Sequence, residues 1–144
     1  MIRGYFNQAR GMRRPFVDAT FVFPAYPGHR LDVRLLIDTG ADRTVLSPRD
    51  ALAIEPLLAA FPPGPILRGV GGITATRNAD VEITMGTYTS TLALTIFAPA
   101  VGAFSMPSVL GRDILSRFAL FMEERTQRVL LLEPDEADRV TWST

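Results

Sequence analysis

Three consecutive apolar residues, Leu35-Leu36-Ile37, run without a spacer into Asp38-Thr39-Gly40. The run reads as a buried strand. A carboxylate directly after it is costly unless hydrogen bonds or a partner group hold it. Any fold for this chain must therefore bring a polar loop to the end of a strand and keep it there.

The neighbouring pattern predicts more strands. Phe16 to Phe23 is rich in β-branched and aromatic residues, and Leu31 to Ile37 follows a turn marked by Pro24, Pro27 and Gly28. Ser47-Pro48-Arg49-Asp50 is a helix start: a capping serine, a proline at the first position and an early acid. It predicts a short helix over about 48–54. Beyond the break at Pro62-Pro63-Gly64-Pro65, Ile66 to Val70 and Ile73 to Met85 form two arms around glycines. Tyr88 to Ala98 reads as a strand with Leu92, Leu94 and Ile96 on one face. Ala119 to Met122 and Val129 to Leu132 read as a hairpin. Short strands, few helices and many turn residues indicate a mainly β barrel or sandwich. No internal repeat is present.

Composition narrows the chemistry. The chain has 144 residues, 47% of them hydrophobic, which suits one domain with a real core. Residues 1–14 read as a flexible N-terminal arm, 15–134 as the domain and 135–144 as a C-terminal tail. Net charge is zero and all fifteen basic residues are arginine, scattered along the chain. That argues against a nucleic-acid surface. No cysteine and a single histidine, His29, leave no disulfide, no thiol nucleophile and no histidine-rich metal site within one chain. Acid–base chemistry must use carboxylates, tyrosines or backbone groups. No signal-peptide core and no apolar run of membrane-span length occur, so the expectation is a cytoplasmic chain without a membrane partner.

Three blocks, in order, then carry a resemblance. They are Ile37-Asp38-Thr39-Gly40-Ala41-Asp42 with Thr44-Val45-Leu46, then Gly69-Val70-Gly71-Gly72, then Val109-Leu110-Gly111-Arg112-Asp113-Ile114-Leu115. In this combination the chain resembles the retropepsin-like (retroviral-type) aspartic proteases of single-domain form. The resemblance implies a mainly β, closed β-barrel-like acid protease fold with a flap hairpin and one or two short helices. It implies an aspartic endopeptidase that needs no cofactor and takes a peptide or protein substrate.

By that resemblance Asp38 is the catalytic carboxylate, while Thr39 and Gly40 support it. Ala41, Asp42, Gly69, Val70 and Gly71 bind substrate, and Asp42 forms a structural ion pair with Arg112. An aspartic protease needs two carboxylates sharing a proton. One chain carries one such motif, so the chemistry implies a homodimer with two Asp38 side chains on the two-fold axis. Val45, Val70 and Val109 suggest apolar side chains flanking the cut. The sequence departs from the family pattern at Arg43, where many members have a second acid, at Arg68 before the flap tip, and at Asp113, commonly asparagine. These departures bear on substrate preference. The alternative function is a catalytically silent retropepsin-like domain that binds a peptide or a partner.

Overall fold

The computed structural model describes residues 1–69, 72–99 and 105–140. These contain twelve strands: β1 (Ile2–Arg3), β2 (Tyr5–Ala9), β3 (Met12–Val22), β4 (Arg30–Ile37), β5 (Val45–Leu46), β6 (Leu67–Gly69), β7 (Gly72–Thr74), β8 (Thr76–Met85), β9 (Tyr88–Phe97), β10 (Val109–Leu110), β11 (Ala119–Glu123) and β12 (Arg128–Leu132). The helices are α1 (Pro48–Ala51), α2 (Glu55–Leu58), α3 (Arg112–Leu115) and α4 (Pro134–Ala137), with a 3₁₀ turn at Leu52–Ile54.

Six strands close a barrel in the order β3-β4-β10-β5-β9-β8, and β8 returns to pair with β3. Closure removes the free edges that make open sheets prone to association. The short strands β5 and β10 carry the crossings. β10 runs parallel to β4, with Val109 beside Leu36 and Leu110 beside Ile37, and antiparallel to β5. β5 in turn runs parallel to β9.

Alternation explains the core. On β4, Leu31, Val33, Leu35 and Ile37 are buried while Asp32 and Arg34 are exposed. Val81, Ile83 and Met85 on β8 and Leu92, Leu94 and Ile96 on β9 face the same interior. Phe21, Leu46, Leu110 and Ile114 complete it with no exposed surface. A fully buried Leu, Ile or Phe contributes about 1.5–3 kcal/mol, so this face alone fixes the register.

Ser47 caps α1 as its sequence predicts: its hydroxyl accepts the Asp50 N–H at 3.2 Å, and Pro48 occupies the first turn. One buried hydroxyl is unmatched. Thr95 on β9 is fully buried, and its Oγ1 has no hydrogen-bond partner among the described residues. Thr95→Val is therefore expected to raise stability by about 1 kcal/mol, because the isosteric methyl carries no desolvation cost. Thermal denaturation checks this; a lower melting temperature would contradict it.

The first fourteen residues differ from expectation. They do not stand off as an arm. Ile2 and Arg3 pair with Leu131 and Leu130 of β12, and β2 pairs with β3 from Tyr5–Phe16 to Ala9–Met12. The cause is local burial: Ile2 and Phe6 lie inside the core at 5% and 6% exposure. At the other end, the segment read as tail begins inside α4.

Tyr5 ties this added hairpin to the barrel. Its hydroxyl donates to Asp18 Oδ1 at 2.5 Å, and its ring stacks on Phe16 at 6.3 Å. Burial, then the hydrogen bond to Asp18, pushes the phenol from its ordinary 10.0 up to about 12. The folded state thus holds this proton more tightly than the unfolded chain. The contribution is intact below pH 10 and is lost as pH climbs from 10 towards 12. Comparing the parent with Tyr5→Phe should show a stability difference that vanishes across that window. A difference constant to pH 12 would count against the bond.

Candidate active site

Asp38 follows β4 directly, and the parallel ladder to β10 extends to it. Leu36 N–H donates to Ser108 O at 2.9 Å, and Asp38 N–H donates to Leu110 O at 3.2 Å. The side chain is half-buried, while Thr39 and Gly40 are exposed. The carboxylate is oriented from within its own turn. Gly40 N–H donates to Asp38 Oδ1 at 2.9 Å, and Ala41 N–H donates to Asp38 O at 3.2 Å. A Cβ at Gly40 would stand 3.3 Å from that same Oδ1, so glycine keeps the approach to the carboxylate open.

The far side of the loop is pinned to α3. Short helices leave their first N–H groups without partners. Here the loop supplies them: Arg112 N–H donates to Ala41 O at 2.8 Å and Asp113 N–H to Asp42 O at 3.2 Å. Gly111 sits so close that an added Cβ would lie 2.4 Å from the Arg43 carbonyl carbon and oxygen.

The expected Asp42–Arg112 ion pair is not formed among the described residues. Both side chains are exposed, and the two residues meet through backbone hydrogen bonds instead. An exposed pair gains little in water, whereas the backbone bonds satisfy donors that otherwise lack partners. Asp42 shares a shallow depression of about 400 Å³ with Arg43, Asp113 and Arg117.

Asp113 does the anchoring. Its carboxylate accepts Thr44 N–H at 2.9 Å, Thr44 Oγ1–H at 2.7 Å and its own Ile114 N–H at 2.9 Å. Thr44 is fully buried, and its Oγ1 also accepts Gly111 N–H at 3.1 Å. The family pattern makes Asp113 a residue bearing on substrate preference; the structure gives it this fastening role. The available signal is a buried-type hydroxyl, Thr44, needing a partner just before strand Val45-Leu46. Charged hydrogen bonds of this kind contribute about 1.5–3 kcal/mol each. Asp113→Ala is expected to cost about 3 kcal/mol of stability, measured by denaturant unfolding. Asp113→Asn, which keeps an acceptor, should lose clearly less.

A second network that the sequence does not announce braces the segment before β10. Ser108 is buried; its Oγ accepts Ser47 N–H at 2.9 Å and donates to Asp50 Oδ2 at 2.5 Å.

The remaining expected residues are placed as follows. Gly69 ends β6 opposite Gly72 of β7, forming a two-stranded hairpin. Val70 and Gly71 lie outside the described residues. Val45 is buried at 8% exposure beside Thr95, so it is a barrel residue and offers no open pocket wall. Val109 is half-buried. Among the described residues no group of three or more His, Asp or Glu side chains is arranged to hold a metal ion. No described helix is long and apolar enough to cross a membrane.

Similarity to known proteins lies in the fold and in one family model. No curated protein matches the sequence. In fold, the chain is similar to a retropepsin-like aspartic protease from Rickettsia conorii, with a TM-score of 0.61 and 15% identity over 89% of this chain and 87% of that one. The EIAV protease complexed with the inhibitor HBY-793 gives a TM-score of 0.49 and 24% identity, over 76% of this chain and 92% of that one. The family model for the retroviral aspartyl protease matches residues 13–122, which include the Asp38 loop, β10 and α3. The chain therefore belongs to the retroviral aspartyl protease family.

Proposed function

We propose that two copies of this chain form an aspartic endopeptidase in which their Asp38 carboxylates meet on a two-fold axis. The observation that carries the reading is the state of Asp38. It is half-buried and held in place through Oδ1 by Gly40 N–H, and its Oδ2 accepts no hydrogen bond among the described residues. A carboxylate so positioned has an oxygen available for a water and a neighbour.

Two such groups at close range do not both ionise cheaply, so the pair retains one proton. The ionised carboxylate takes a proton from the water as its oxygen attacks the scissile carbonyl. The protonated one gives its proton to the carbonyl oxygen, forming the tetrahedral gem-diol. The gem-diol then collapses: a carboxylate takes back a hydroxyl proton and the leaving nitrogen is protonated as the C–N bond breaks. Thr39, exposed in a single copy, fits a hydrogen bond across the axis to its counterpart. Ala41 and Asp42 border the substrate backbone. The β6–β7 hairpin serves as the lid over the peptide, and Gly69, Val70 and Gly71 are its substrate-binding residues by the family pattern.

The test is cleavage of a mixed peptide library from acidic to neutral pH, beside Asp38→Asn. Cutting by the parent alone supports the enzyme. Equal cutting by both, or cutting by a preparation that light scattering shows to be only monomer, contradicts it.

A further inference from the structure

A groove of about 640 Å³ runs between the β2–β3 hairpin, β4 and residues 105–108. Four arginines line it: Arg10, Arg14, Arg34 and Arg49. Two carboxylates, Asp32 and Asp50, also reach it, but both are already occupied. Asp50 Oδ2 accepts the Ser108 hydroxyl at 2.5 Å. Asp32 Oδ1 accepts the Thr20 hydroxyl at 2.6 Å and pairs at 3.4 Å with Arg30, which is not a groove residue. None of the four groove arginines has an ion-pair partner among the described residues. What they have is weak: the Arg34 guanidinium lies 5.5 Å from the centre of the Phe16 ring, and Arg14 Nε donates to Ala9 O at 3.4 Å.

Four guanidinium groups against two carboxylates leave the wall net positive, and a concave wall focuses that potential. Guanidinium groups match carboxylates in a bidentate fork, so the ligand chemistry is acidic. The groove also adjoins the candidate catalytic loop. Leu36 lines it and lies two residues before Asp38, on the same face of the chain and about 7 Å away along an extended strand.

We infer that this groove binds acidic side chains of the polypeptide substrate, beginning about two residues from the cut. The inference rests on the peptidase reading for its substrate, and it replaces the sequence expectation of apolar flanks alone. In a symmetric dimer each copy brings one groove, so acids are favoured on both sides of the scissile bond.

The test separates the groove from the chemistry. Asp38→Asn protein is titrated with a short fluorescent peptide that carries glutamates on both sides of an apolar centre. Its twin carries glutamines instead. Anisotropy should show the glutamate peptide binding about tenfold tighter at low salt, with the advantage shrinking as salt rises. In Arg34→Gln/Arg49→Gln the ratio should fall to about one, and in Arg34→Glu/Arg49→Glu a lysine peptide should be preferred. Equal binding of the two peptides by protein with all its arginines overturns the inference, whatever the fate of the peptidase reading. So does a change in the monomer–dimer balance of the arginine variants with the peptide ratio unchanged, which assigns the groove to a second copy. A preserved glutamate preference without any Asp38-dependent cleavage by the parent sinks the peptidase reading alone.

Discussion

Asp38→Asn protein should lose peptide cleavage by about a thousandfold or more, because the amide supplies neither a base for the water nor a shared proton. Folding should be unchanged. The amide oxygen of the variant can still accept the Gly40 N–H, and the backbone bonds at Asp38 N–H and O do not involve the side chain. Mixing sharpens the result. If each site needs two Asp38 residues, equal amounts of parent and variant that exchange freely leave about one quarter of the dimers with both. Activity per parent chain then falls to about half. A preparation whose activity per parent chain is untouched by excess variant, with exchange verified, contains sites that need only one.

Gly111→Ala carries the second large effect, and the reason is room rather than conformation. The Gly111 backbone is extended, at φ −97° and ψ −176°, which any residue adopts. But its missing side chain is where the Arg43 backbone lies: a Cβ would stand 2.4 Å from C and O and 2.9 Å from N. A peptide group cannot swing aside as a flexible side chain does. The substitution must separate the Asp38–Thr44 loop from α3, weakening the Thr44–Gly111 and Arg112–Ala41 bonds together. The expected loss is about 3 kcal/mol or more, on the order of 10 °C in melting temperature for a chain of this size. Activity should fall further than stability, because the loop that moves carries Asp38. A variant that melts within about 2 °C of the parent would mean the contact is soft.

Much of this architecture is legible in the residue order. β4 alternates throughout and β8 does so from Ala79 to Met85, so their burial follows from side-chain period; on β9 the period gives Leu92, Leu94 and Ile96 but not the buried Thr95 between the last two. The α1 start is spelled by Ser47-Pro48. The loop at Asp38 is legible because a carboxylate and a glycine after an apolar strand have few uses. Three features are not legible, each for a physical reason. Strands β1 and β2 each bury a single side chain, Ile2 and Phe6, and that burial depends on β12 and β3. The partner of Thr44 is 69 residues away, so no local pattern announces that Asp113 fills it. And an arginine near an acid in a family pattern does not fix which atoms meet. Arg112 joins the loop through its N–H, not its guanidinium.

That separation along the chain also governs when a working loop first exists. During synthesis, residues 38–44 leave the ribosome well before Leu110, Gly111 and Asp113, the groups that fasten them. At about 5–20 residues per second, the 69 residues between Thr44 and Asp113 take roughly 3–14 seconds to make. Pairing so distant in sequence is also slow to form once the chain is complete. A nascent chain therefore carries its aspartate in an unshaped loop. By the time the loop is fastened, the barrel strands that the proposed chemistry would otherwise attack have all been made and can close into the sheet.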